Sequence, residues 1–110
     1  MGSLRESIAA LRTVGPIPTG VIVLTVEYLE EADMWVGQCL ELGTPAEAAT
    51  LKELRTGLAQ AVGLQLQQME ELGYIGEFLN DHGVAILPLA DASPSVRQGP
   101  SWRVPEPSAV

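Results

Sequence analysis

Cys39 and His82 are the only cysteine and the only histidine in this chain of 110 residues. A cysteine nucleophile acts as its thiolate and needs a neighbouring base, so His82 is the sole imidazole that could serve Cys39. Metal or acid–base chemistry would have to gather Glu27, Asp33, Asp81 and His82, whose spacing has no ligand pattern. One cysteine makes neither an internal disulfide nor a cysteine zinc site, and Cys39 reads as a small buried hydrophobe. The run GLAQAVG sets Gly57 and Gly63 inside a helical pattern, which is no phosphate-cradling loop. The sequence therefore predicts no enzyme, and no catalytic, cofactor-binding or metal site.

A second kind of chemistry lies in the acidic residues Glu27, Glu30, Glu31 and Asp33. The formal net charge is −8, with only Arg5, Arg12, Lys52, Arg55, Arg97 and Arg103 basic. No Lys/Arg cluster tracks a phosphate backbone, which argues against direct nucleic-acid binding. An acidic surface suits a basic protein partner, and those four carboxylates are the candidate contact residues. No apolar stretch reaches the roughly 20 residues of a membrane span, nor is there an apolar run of signal-peptide length near the start. The expected compartment is the cytoplasm.

These residues must be positioned by few elements. Residues 3–12 read as a short helix, with Ser3 and Glu6 in a capping-box arrangement and Leu4, Ile8 and Leu11 as its stripe. Gly15, Pro16 and Pro18 follow as a linker. Residues 20–29 are dense in β-branched side chains and predict a strand. Ile22, Leu24, Val26 and Tyr28 take one face; Val21, Val23, Thr25 and Glu27 take the other. A polar turn leads to a second strand over 34–40, an antiparallel hairpin. Gly37 in that strand marks a close approach, for which the following helix is the candidate.

Residues 46–49 read as a short third strand or an extended link. Thr50 then caps a helix over Leu51–Leu72, with Glu53 completing T-x-x-E and Gly73 ending it. Leu51, Leu54, Leu58, Val62, Leu66, Met69 and Leu72 form its core stripe. Gln65 interrupts that stripe and Leu64 lies outside it, which fits either a second chain or a simple stripe edge. Residues 84–89 predict a last strand at an edge, since Pro88 lacks a donor. The Pro-rich residues 91–110 read as a flexible tail, with Trp102 and Val104 as possible anchors.

The order of elements and several residue runs resemble the HicB-like family of bacterial antitoxins. Val26-Glu27-Tyr28 leads into Glu30-Glu31-Ala32-Asp33. The run from Trp35 to Gly43, WVGQCLELG, is similar to the family's aromatic-Val-small-polar-Cys-Pro-Glu-Leu segment. Thr50-Leu51-Lys52-Glu53-Leu54 resembles its Thr-Leu-x-Glu-Ala helix start. Leu40 stands where the family has Pro, Ala48 where it has Gly, and Leu54 where it has Ala. Residues 91–110 occupy the place of the family's DNA-binding segment and can form no such segment.

The resemblance, with the reading of the residues above, implies an α+β fold: a small antiparallel sheet (β-β-β-α-β) with one long helix on one face, plus the short N-terminal helix read from residues 3–12. Together they divide the chain into a helix and linker (1–19), a HicB-like domain (20–90) and the tail (91–110). It further implies a protein-binding module that neutralises a small basic toxin. A homo-oligomer with a structural or small-ligand-binding role is the competing expectation. The small core, the apolar positions Val21 and Val23, and the edge strand at 84–89 all point to self-association.

Overall fold

The computed structural model describes residues 2–89 and 100–105. Its framework is a curled antiparallel sheet in the order β4-β3-β2-β1-β6, with β5 paired to β2 off that path. The strands are β1 (Ser3–Val14), β2 (Ile17–Glu31), β3 (Met34–Cys39), β4 (Thr44–Ala48), β5 (Leu87–Pro88) and β6 (Ser101–Arg103). The described residues also form one long helix, α1 (Leu51–Leu72), and one short helix, α2 (Ile75–Asp81).

This overturns the expected β-β-β-α-β sheet with an N-terminal helix. Residues 3–12 are strand, and they pair with β2 along nearly its whole length, from Ser3 opposite Leu29 to Val14 opposite Ile17. The inward positions of β1 are Leu4, Glu6, Ile8, Ala10 and Arg12, a period of two. Two of the five are charged, which hides the alternation, while Leu4, Ile8 and Leu11 mimic helical spacing. Tertiary pairing then outweighs the helix preference of Ala and the capping signal, as it commonly does.

Gly15 and Pro16 are no linker but the turn between β1 and β2. Gly15 has φ +60, the left-handed conformation that a glycine-first two-residue hairpin requires. Pro18 is accommodated by a register shift between Arg12 and Thr13, at which the Thr19 hydroxyl donates to the Arg12 carbonyl (3.2 Å).

β2 places Ile22, Leu24, Val26 and Tyr28 in the core against α1, and all four are buried. The helix is fixed at both ends by its own sequence. The Thr50 hydroxyl accepts from the Glu53 N–H (3.1 Å), and Gly73 closes the last turn at φ +83. Leu54, Leu58, Val62, Leu66 and Met69 are buried, whereas Leu72, the expected end of the stripe, is exposed. Gln65 is satisfied within the chain: it accepts from the Thr44 hydroxyl and donates to the Leu42 carbonyl (3.3 Å). Its place in the stripe needs no second chain.

Gly37 is where the hairpin, Tyr28 and α1 close on one another. A Cβ there would lie 3.0 Å from both the Glu27 carbonyl and Tyr28 Cδ1, and 3.2 Å from Leu54 Cδ2. The residues after Gly73 form a second helix, in which Ile75 and Leu79 share one face and are both buried. The expected last strand over 84–89 shrinks to Leu87–Pro88, opposite Gly20 and Val21. Most of the expected tail, 91–99 and 106–110, lies outside the described residues. Its remainder supplies β6, which pairs with β1 and buries Trp102.

Candidate functional site

The β2–β3 hairpin carries the acidic residues singled out above, and its geometry separates them. Glu31 pairs with Met34, leaving Ala32 and Asp33 as the turn, with Ala32 at φ +50. Glu30, Glu31 and Asp33 are all exposed. The Glu30 N–H donates to the Gly2 carbonyl (2.9 Å), which ties the start of β1 to the hairpin. Glu27 lies farther back on the outer face and is engaged by Arg5, 2.7 Å away on β1. So three carboxylates gather at the hairpin end, and the fourth belongs to an ion pair one strand over.

Among the described residues, α1 covers the sheet on one face only. Across its outer face, Leu29, Val36 and Glu47 stand opposite one another on β2, β3 and β4, and Glu27, Gln38 and Pro45 form the next row. Glu27, Leu29, Val36, Gln38 and Pro45 line an open groove here. Val23, Leu29 and Met34 are large apolar side chains left exposed, Val23 at 54%. Arg5 is the one basic side chain that β1–β4 place on this face. Leu29, Val36 and Met34 form an apolar strip bordered by Glu27, Glu31, Asp33 and Glu47, and Val23 lies beyond Glu27 along β2.

No family model, curated protein or solved structure matches the chain.

On the covered face, chemistry-bearing groups are locked into structure. Arg55 of α1 holds Glu6 of β1 through Nε (3.1 Å) and Nη2 (2.7 Å), with its guanidinium 5.7 Å from the Tyr28 ring centroid. The hydrogen bond from Arg55 holds the Glu6 carboxyl below its ordinary range. Burial, and then the Glu6 charge, push the Tyr28 phenol up to about 12. Arg12 likewise grips Glu70 at 2.7 and 3.1 Å, and the Trp102 indole N–H donates to the same Glu70 carboxylate (3.1 Å). Sequence reasoning missed both clusters, since each joins β1 to partners on α1 or β6 that no local pattern connects.

The groups considered for catalysis stay apart. Cys39 is fully buried, and burial chiefly pushes its thiol upward; its Sγ lies 4.0 Å from Glu41 Oε1. Glu41 itself serves the sheet, accepting from the Thr25 N–H (2.7 Å) and hydroxyl (2.9 Å) where β3 ends. The His82 ring stacks on Phe78 and bonds to the Phe78 carbonyl (2.8 Å) in its own helix. Among the described residues, no three of His, Cys, Asp or Glu come together as metal ligands, so Glu27, Asp33, Asp81 and His82 form no set. Nor is any described helix long and apolar enough to cross a membrane.

Proposed function

We propose that this protein is a non-enzymatic interaction module that binds a small basic protein on the outer face of β2–β4. The observation that carries the reading is the apolar strip Leu29, Val36 and Met34, uncovered among the described residues, with its acidic border. A partner of complementary charge gains both burial of that strip and steering toward it. The hairpin end, Glu30, Glu31 and Asp33, offers carboxylates with no cation engaging them among the described hydrogen bonds. The resemblance of residues 21–72 to HicB-like antitoxins adds the biological form of the reading. The partner is then a toxin, and binding neutralises it in the cytoplasm.

Co-purification with the source organism's proteins tests this, using wild type beside a Glu30→Lys/Glu31→Lys/Asp33→Lys variant. A small basic protein that stops growth when expressed alone, and is held by wild type but not by the variant, supports the reading. Capture of no basic protein, or equal capture by both, refutes it.

A further inference from the structure

β1 is the outermost long strand of the sheet, yet β6 covers its free edge only opposite Leu11, Arg12 and Thr13. Among the described residues nothing pairs with residues 3–10 on that side. The edge also lacks the usual protections: there is no proline in it, no bulge before Arg12, and its only charged residues are Arg5 and Glu6.

Its backbone is turned outward at defined positions. The Thr25 carbonyl accepts from the Leu40 N–H (2.9 Å), and the Thr25 N–H donates to Glu41, so both face away from β1. Ser7 is the residue opposite Thr25. In an antiparallel ladder a residue's two backbone groups point the same way, and bonded and non-bonded pairs alternate. Ser7 therefore turns its N–H and C=O to the open edge, and Arg5 and Ala9 do the same.

We infer that β1 pairs antiparallel with β1 of a second copy of this chain, on a two-fold axis at Ser7. This goes beyond the binding of a basic partner and uses a different surface. Charge selects both the occupant and the register. An axis at Arg5 or Glu6 would set like charges directly opposite, which is unfavourable. An axis at Ile8 would lose both copies of the pair Arg5–Leu11, whose edge Arg103 already holds, and keep two bonded pairs, whereas an axis at Ser7 loses only the terminal pair Ser3–Leu11 and keeps three. The axis at Ser7 sets Arg5 against Ala9 and Glu6 against Ile8, with small side chains at the centre. The two sheets become one, with both α1 helices on the same face.

Two measurements on the full chain decide it. Light scattering up to about 100 µM should give twice the 11.7 kDa chain mass for wild type. Oxidation of Ser7→Cys should link two chains covalently, since bonded antiparallel partners lie about 5.5 Å apart at Cα, within disulfide reach. Arg5→Cys should not link, because the two copies of that position lie about 13 Å apart along the strands. Cys39 is buried and stays out of the reaction. A monomer at the highest concentration overturns the inference, whether the edge is taken by residues 90–99, by 106–110 or by another protein. A dimer in which Arg5→Cys links as readily as Ser7→Cys overturns it too.

Discussion

Glu6 of β1 and Arg55 of α1, 49 positions apart in sequence, meet through two hydrogen bonds of 2.7 and 3.1 Å beside the buried Tyr28 ring. The pair fixes how β1 sits against the helix. Because Glu6 titrates below its ordinary range in the folded chain, its contribution is present above that range and is lost as pH falls through the lowered value. Glu6→Gln should therefore lower stability near pH 7 by about 1 kcal/mol, given a partly exposed pair. The difference from wild type should shrink as pH falls below the ordinary carboxylate range and disappear once the lowered value is passed. Urea midpoints at several pH values check this; a difference that does not shrink on acidification would contradict it.

Tyr28 makes the opposite titration. Its phenol is raised to about 12, so the stability it contributes is complete below the unfolded value near 10 and is lost as pH rises toward 12. Absorbance near 295 nm during an alkaline titration should show Tyr28 ionising together with loss of helical circular dichroism. Ionisation well before unfolding would mean that the ring is not held as described.

Glu70 gathers Arg12 and the Trp102 indole, and so pins β6 to the sheet and helix. Glu70→Ala leaves a half-buried guanidinium and an indole N–H without their acceptor. The expected cost is about 2 kcal/mol, as for a part-buried charged hydrogen bond. Trp102→Phe should cost less in the Glu70→Ala background than in wild type, because the two side chains share one bond. Additive losses in a double-mutant cycle would exclude that coupling.

Helix α1 and the inner face of β2 were legible because their signals are local. Thr50, Glu53 and Gly73 mark the helix ends, and Ile22 to Tyr28 alternate without a charged intrusion. β1 was not legible because its inward Glu6 and Arg12 find their counterions 49 and 58 residues away. A charged residue at a core-facing position reads as solvent-facing until its partner is known. The seven residues of α2 and three of β6 are too few to show periodicity. For the candidate site, the acidic hairpin end was visible in sequence. That Glu27 stands apart, paired with Arg5, depends on the register of β1, and so was not.

Two backbone positions in the hairpin separate close packing from turn strain. Gly37→Ala should destabilise by about 1–3 kcal/mol, because the new methyl meets Tyr28, Leu54 and the Glu27 carbonyl at 3.0–3.2 Å. Ala32→Gly should stabilise by up to about 1 kcal/mol, since φ +50 strains a residue with a Cβ. Thermal melts of both variants give the answer; a neutral Gly37→Ala would mean the hairpin does not close on α1 as described.

We propose above that the outer face of β2–β4 binds a basic protein through an apolar strip with an acidic border. The most direct test is the affinity of the captured basic protein for wild type, for Glu30→Lys/Glu31→Lys/Asp33→Lys, and for Leu29→Asp. The triple variant should bind about tenfold more weakly at low salt, a gap that narrows as salt screens the charges. Leu29→Asp should weaken binding at every salt concentration while the variant still melts cooperatively. Unchanged affinity in both variants would mean that the partner binds elsewhere on the chain.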